Sequence, residues 1–144
     1  MKISTRGRYG IRMLLDLADR KTDTPTILAD IAKNQNISVS YLEQIAVLLS
    51  KAGYIRSIVG ASGGFELVRD SSTITVGEVL RVLEGDLSVI DELQPGEIET
   101  ALQSCIRKKV YEPLNDRIAQ LLDSRTLDSM KNTVDSQNCW TYII

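Results

Sequence analysis

Apolar residues recur at helical spacing through the first fifty residues and predict three short helices. These helices are expected over residues 6–20, 27–35 and about 38–52. Their inward stripes are Tyr9, Met13, Leu14 and Leu17 in the first, Ile27, Leu28, Ile31 and Ala32 in the second, and Leu42, Ile45, Ala46 and Leu49 in the third. A turn of about three residues joins the second helix to the third, which is the spacing of a helix-turn-helix.

Each predicted helix begins near a residue that can accept a hydrogen bond from an unpaired backbone amide. Ser4 and Thr5 precede the first helix and Thr26 precedes the second. The third helix has two candidate caps, Ser38 and Ser40, and the segment from Ser40 to Glu43 also fits a capping box.

A glycine-rich turn follows the third helix and predicts a β-hairpin. Residues 54–58 and 65–67 alternate between polar and apolar side chains on either side of residues 60–64, which read Gly-Ala-Ser-Gly-Gly. A helix-turn-helix followed by a small hairpin is the arrangement of a winged helix-turn-helix, in which the hairpin is the wing. The pattern therefore favours a DNA-binding domain.

The second half of the chain is predicted to hold a helix over residues 76–83, a mixed loop over 87–96 and one long helix from Glu97. In the long helix an apolar residue recurs every four positions, at Ile98, Leu102, Ile106, Val110, Leu114, Ile118 and Leu122. Little chain remains to cover this stripe, which indicates dimerisation. Pro113 interrupts the stripe and predicts a kink or a break.

Together these elements predict a mainly α fold with a small β-hairpin. A winged helix-turn-helix domain is expected over residues 1–84. Residues 85–144 are expected to form a linker loop, a long C-terminal dimerisation helix, a last short helix over 126–132 and an apolar tail, Cys139–Ile144.

Composition narrows the function classes. The 144 residues include no histidine, so Ser-His-Asp and Cys-His catalysis are excluded, and an enzyme is not expected. Residues 1–70 carry 10 Lys/Arg and 7 Asp/Glu (+3), and residues 71–144 carry 7 and 12 (−5), which gives the net charge of −2 and suits a DNA-facing first half.

No apolar run reaches the roughly 20 residues that span a bilayer, and no signal-peptide pattern follows Met1. A cytoplasmic protein with no membrane partner is therefore expected.

Three arginines lie near the start of the first helix, where the helix macrodipole favours acidic residues. Arg6, Arg8 and Arg12 therefore either hold an external anion such as a DNA phosphate or form a solvated face. The residue pattern leaves both interpretations open.

Four segments resemble the Rrf2 family of bacterial transcriptional regulators. They are KISTRGRYG at Lys2–Gly10, ISVSYLEQI at Ile37–Ile45, GGF at Gly63–Phe65 and TVGEV at Thr75–Val79. The resemblance covers nearly the whole chain, and its most specific part is the third helix with the glycine-rich wing. It implies a homodimeric winged-helix transcription factor whose recognition helix enters the major groove, whose wing touches the minor groove and whose long helix forms the dimer.

The resemblance, together with the basic residues, gives a set of candidate contacts. The expected DNA contacts are Lys2, Arg6, Arg8, Ser38, Ser40, Tyr41, Glu43, Gln44, Arg56, Gly60, Ser62 and Gly63, and the expected dimer contacts are Ile98, Leu102, Ile106, Val110, Leu114 and Ile118. The chemistry agrees, because glutamine can pair with an adenine edge, glutamate can accept from cytosine, and hydroxyl groups can hold phosphates or bases. The alternative is that both serines only cap the helix and Tyr41 only packs.

Two features depart from the family pattern. The wing arginine of many members is Val59 here, so either Arg56 substitutes for it or the wing contacts DNA through the backbone of residues 60–64. Cluster-binding members carry three cysteines before the dimer helix, whereas only Cys105 matches here. Because a cluster needs about four ligands, we expect no iron–sulfur cluster and no other metal cofactor.

The expected function is a DNA-binding regulator of the cluster-free branch, and more narrowly a repressor that reads a palindrome-like operator as a homodimer. An alternative is a winged-helix module that binds a metabolic enzyme, which could also act as a co-regulator. A third is a thiol-redox sensor that uses Cys105, unless that residue only packs within the apolar stripe.

Overall fold

A computed structural model describes residues 1–20 and 23–131. Its elements follow the predicted order: α1 (Thr5–Asp19), α2 (Leu28–Gln35), α3 (Val39–Lys51), β1 (Ile55–Ile58), β2 (Gly64–Leu67), α4 (Val76–Glu84), α5 (Ala101–Ile106) and α6 (Glu112–Ser124). A 3₁₀ turn precedes α4, a π-helical turn joins α5 to α6, and residues 127–131 are again helical. The predicted fold, mainly helical with one hairpin, is confirmed. The end of the last predicted helix and the tail Cys139–Ile144 lie outside the described residues.

One apolar core lies between α1, α2, α3 and α4. Its fully buried side chains include Met13, Leu14, Ile31, Leu42, Ile45, Leu49, Val79 and Leu80. Each contributes about 1.5–3 kcal/mol relative to an exposed position, so this core is the main source of stability. Gly10 allows α4 to approach α1 closely, because a Cβ there would lie 2.2 Å from Leu83 Cδ1. Leu127, also fully buried, joins the segment after α6 to the same core.

The start of α3 confirms one of its two predicted caps. Ser38 caps the helix, since its side-chain oxygen accepts a hydrogen bond from the Tyr41 amide at 3.2 Å. The predicted capping box from Ser40 to Glu43 is therefore wrong. Both of these side chains are exposed, and both lie within the helix rather than at its end.

Thr26 does not cap α2 as predicted. Its backbone instead exchanges two hydrogen bonds with Phe65 of β2, at 2.8 and 2.7 Å. Ile27 occupies the N-cap position without a side-chain hydrogen bond and is exposed rather than inward-facing. The segment before α2 thus fixes the wing, residues 55–67, to the helical core.

The two strands of the wing pair in antiparallel register, with Arg56 opposite Glu66. Gly64 stands where the wing meets Thr26, with a φ of +155°. A Cβ at this glycine would lie 2.6 Å from the Thr26 carbonyl carbon and oxygen. Both the backbone conformation and the close approach therefore require glycine there.

The long C-terminal helix begins later than predicted and is not broken by Pro113. It starts at Ala101, because Thr100 and Gln103 form a reciprocal capping box, and Ile98 lies in the preceding loop. Before the proline, Arg107–Tyr111 form a π-helical turn, and the Glu112 amide donates to the carbonyl five residues back. This wider turn accommodates the proline ring, so the chain remains helical through to Ser124.

An ion pair connects α4 to α6. Both guanidinium Nη atoms of Arg81 donate to the Asp123 carboxylate, at 2.6 and 3.0 Å. These hydrogen bonds lower the pKa of the Asp123 carboxyl below its ordinary value. Gly77 leaves room for the pair, because a Cβ there would lie only 1.9 Å from Asp123 Oδ1.

Candidate nucleic-acid interface

One face of α3 packs in the core and the opposite face is exposed. The buried stripe is Leu42, Ile45, Ala46 and Leu49. The exposed stripe consists of Ser40, Glu43, Gln44, Val47 and Lys51, and we call it the reading face. Residues three and four apart fall on the same side of an α-helix, so these five side chains point in one direction.

Tyr41 is half-buried and holds α3 against α1. Its ring meets the Tyr9 ring edge to face, with centroids 5.6 Å apart and an interplanar angle of 88°. Arg12 lies over the other ring, 5.1 Å from the Tyr9 centroid. The aromatic pair therefore orients the first turn of α3, a packing role that sequence reasoning gave only as an alternative.

Arg12 is engaged inside the protein rather than free for phosphate. It donates to the side-chain oxygen of Gln35 at 3.2 Å and to the backbone carbonyl of the same residue. The Gln35 amide in turn donates to the buried carboxylate of Asp16 at 3.0 Å, and Arg20 donates to that carboxylate at 2.8 Å. This network fixes the end of α2, and so the turn that leads into α3.

A carboxylate from α4 occupies the amino end of α1. Glu84 Oε1 accepts hydrogen bonds from the Ser4 amide at 2.9 Å, the Ser4 hydroxyl at 2.5 Å and the Gly7 amide at 3.1 Å. The first turn of α1 has no acidic residue of its own, and Glu84 supplies the negative charge that the macrodipole favours. These amides are therefore not available to a DNA phosphate.

Three cations remain exposed near this end of the molecule. Lys2, Arg6 and Arg8 are exposed, and none forms an ion pair with another described residue. Arg8 donates to the Thr5 hydroxyl at 3.2 Å. Guanidinium and ammonium groups placed this way can contact phosphate through their side chains alone.

The wing has less uncompensated positive charge than the sequence indicates. The Arg56 guanidinium forms an ion pair with Glu66 at 2.5 Å, so its charge is compensated across the strands. Val59, at the tip, is 95% exposed. The Gly63 amide donates to the Gly60 carbonyl at 3.0 Å and is used within the turn. The exposed hydroxyl of Ser62 remains available at the tip.

Five of the six predicted dimer residues form an exposed apolar series, while Ile118 is partly buried. The exposed residues are Ile98, Leu102, Ile106, Val110 and Leu114. Leu102 is 71% and Val110 is 51% exposed, although both are strongly apolar. Such a surface on a single chain indicates an interaction with another protein surface.

The described residues do not suit an iron ion or an iron–sulfur cluster. Over residues 1–20 and 23–131, no three Cys, Asp, Glu or His side chains are placed to hold a metal. Cys105 is the cysteine of this part of the chain, and its side chain is exposed rather than packed in the apolar stripe. Cys139 lies outside the described residues. One thiol cannot supply a cluster's ligand set.

The length and hydrophobicity of a helix decide whether it can cross a lipid bilayer. In the part of the chain that the structure describes, every helix is too short or too polar to cross a lipid bilayer.

Known proteins that are similar to this chain in sequence and in structure all point to one family. Residues 3–133 match the Rrf2 family model, described as an iron-dependent transcriptional regulator. The HTH-type transcriptional regulator CymR of Bacillus subtilis (strain 168) is 36% identical over 137 residues, which cover 95% of this chain and 94% of CymR. The HTH-type transcriptional regulator IscR of Yersinia enterocolitica is 34% identical over 94% of this chain and 82% of its own length. The structure of CymR (YrzC), the global cysteine regulator of B. subtilis, superposes with a TM-score of 0.80 at 37% identity, covering 92% of this chain and 98% of that chain.

Proposed function

Because this chain belongs to the Rrf2 family of transcriptional regulators, we propose that it is a repressor that binds a palindrome-like DNA operator as a homodimer. The observation that carries the proposal is the reading face of α3, where polar side chains stand exposed on a helix whose opposite side is fixed in the core. Hydrogen-bonding groups on such a helix can reach base edges in the major groove.

The apolar residues of α5 and α6 supply the second part of the proposal. Two copies that cover this surface would carry two α3 helices, one for each half-site. Half-sites of a dimeric helix-turn-helix protein lie about one DNA turn, or roughly 34 Å, or a multiple of it apart. A dimer bound across a promoter would exclude the transcription machinery.

The direct test is to select binding sites from fragmented genomic DNA with the purified protein and then to footprint them. We expect enrichment of one inverted repeat, with affinity that falls steeply as salt rises because phosphate contacts release counterions. Repression is tested by fusing a bound promoter to a reporter, with and without the intact gene. Recovery of fragments with no common sequence would contradict the proposal.

Two single substitutions should separate base reading from phosphate binding. Gln44→Ala is expected to cost about 1–3 kcal/mol at one base pair and to relax specificity there, because it removes one bidentate partner. Arg8→Ala is expected to weaken binding to all sequences and to reduce the slope of log K against log salt by about one contact, or ~0.9. Affinity measurements on operator variants at several salt concentrations distinguish the two. Equal loss on all sequences in Gln44→Ala would remove that residue from the base-reading set.

The ion pair of the wing gives a second prediction. Glu66→Gln should increase DNA affinity several-fold, because it releases the Arg56 guanidinium from its carboxylate partner. The salt dependence should become steeper by up to ~0.9 in log–log slope, as one further phosphate contact would produce. An exposed pair contributes about 0–1 kcal/mol to folding, so stability should change little.

The matched control is the double variant Glu66→Gln with Arg56→Ala. It should return the affinity and the slope to those of the parent or below, since the released charge is gone. An equal gain in the double variant would show that the removed negative charge of Glu66 acts by itself, without Arg56.

A second candidate function is binding to a metabolic enzyme, which the wing tip favours. Val59 is almost fully exposed, and an apolar tip beside a compensated arginine suits a protein surface better than a phosphate backbone. A stable enzyme complex in a pull-down, lost in Val59→Asp, together with unchanged DNA binding would assign the wing to that partner. A thiol signal through Cys105 is compatible with either function, since the side chain is exposed.

A further inference from the structure

Val47 is an exposed apolar residue in the middle of a polar surface. It is 65% exposed and lies on the side of α3 opposite the buried stripe. Seven residues separate it from Ser40, so the two lie on nearly the same line along α3, about 10 Å apart along the axis. Glu43 and Gln44 flank that line on either side.

A shallow depression of about 370 Å³ adjoins Val47. It is lined by Glu43, Ala46, Val47, Ser50 and Phe65, and so it lies between α3 and the wing. Its Phe65 wall is fixed in place, since the backbone of that residue is hydrogen-bonded to Thr26. The depression is therefore a preformed, largely apolar feature that continues the reading face.

We propose that Val47 and this depression receive the 5-methyl group of a thymine in the major groove. The inference rests on the proposed DNA-binding function and deepens it by naming a base. Thymine is the natural base that presents a methyl group in that groove, and apolar side chains are its usual partners. Glu43 and Gln44 lie beside the depression and would bind base edges. The apolar group that a base edge can present next to them is the methyl group of thymine.

The position on the helix also limits which base pair is involved. Val47 lies about 4.5 Å farther along the axis than Gln44, since each residue rises 1.5 Å. One base pair of DNA rises about 3.4 Å. A shift of 4.5 Å therefore spans no more than two base pairs, and we expect the thymine within two base pairs of the pair that Gln44 reads in each half-site.

The test replaces thymine by deoxyuridine at single positions of the selected operator, which removes the methyl group and preserves all base pairing. The parent protein should lose about fourfold in affinity at one position per half-site, the value of one buried methyl group. Val47→Ala should bind the thymine operator about fourfold more weakly and should bind both operators equally. 5-Methylcytosine placed opposite guanine at that position restores a methyl group in the same groove, and it should recover part of the loss relative to cytosine in the parent but not in Val47→Ala.

Val82→Ala is the matched control, because it makes the same change at an exposed valine of α4. It should retain the full thymine preference. Equal affinity of the parent for thymine and deoxyuridine at every position, or an operator without thymine near the Gln44 contact, would overturn the inference while leaving DNA binding intact. Failure to select any DNA sequence would instead contradict the proposed function.

Discussion

The double variant Leu102→Asp, Val110→Asp is expected to be monomeric and to lose about a hundredfold or more in operator affinity. Both side chains are exposed in the single chain, so the substitutions should leave the fold intact. In the proposed dimer they would bring unpaired carboxylates into an apolar interface, which costs several kcal/mol. A monomer also loses the effective concentration that links two half-sites, which is worth about 10²–10⁴ in affinity.

Sedimentation or light scattering gives the oligomeric state, and gel retardation gives the affinity. Lys108→Asp is the matched control, because this single change also lowers the net charge by two units on the same helical rod, at an exposed position outside the apolar series. It should remain dimeric and should bind the operator as the parent does. A double variant that stays dimeric would remove α5 and α6 from the interface.

Glu84→Ala is expected to lower the free energy of unfolding by about 2 kcal/mol. The substitution removes an acceptor that receives three hydrogen bonds from the start of α1. Hydrogen bonds to a charged group are worth about 1.5–3 kcal/mol, and a carboxylate at a helix amino terminus adds about 0.3–1 kcal/mol. The partial exposure of Glu84 reduces the sum, since water can replace some of these contacts.

Urea unfolding at neutral pH measures the change. Glu84→Gln is the informative comparison, because its amide oxygen can still accept from the Ser4 and Gly7 amides without the negative charge. It should lose roughly half as much as the alanine variant. A loss below about 0.5 kcal/mol in Glu84→Ala would show that the contacts between α1 and α4 do not depend on this carboxylate.

Periodicity along the chain was sufficient to predict the fold. The buried stripe of α3 from Leu42 to Leu49 and the turn glycines of the wing are local signals, and local signals specify helices and hairpins. The family that the segments indicated is also confirmed, and its members are transcriptional regulators rather than enzymes, as the lack of histidine suggested. The division into residues 1–84 and 85–144 stays a prediction.

The interactions that sequence reasoning missed join residues far apart in the chain. Glu84 is about eighty residues from Ser4, and Thr26 is about forty from Phe65. No pattern within one element reveals such partners, because they arise only when elements pack. Two features could nevertheless be predicted from the sequence. A hairpin that turns at residues 60–64 places Arg56 opposite Glu66. The capping-box pattern of Thr100 and Gln103 places the start of the long helix at Ala101.

The site was predicted unevenly for the same reason. Exposure on α3 follows from its period, so Ser40, Glu43 and Gln44 stand where the sequence placed them. The sequence leaves Arg12 open to an external phosphate, but in the structure it lies over Tyr9, one turn earlier in α1, and donates to Gln35. The Gln35 contact joins residues 23 positions apart, so the pattern of one helix does not reveal it. The period also places Val47 on the exposed side of α3, but it has no functional interpretation from sequence, because a single exposed valine is common on protein surfaces.

The π-helical turn before Pro113 has a geometric consequence for the proposed dimer. A residue repeated every four positions advances about 40° around an α-helix at each step, so the series from Leu102 to Leu122 would wind around the rod. A π turn takes in about one extra residue, which sets the series back by roughly 100°. Leu114 is thereby rotated back towards the line of Leu102 and Ile106. The turn therefore keeps the series on one side of the helix. In the proposed dimer its position would set the rotation of one copy relative to the other, and with it the spacing of the two half-sites.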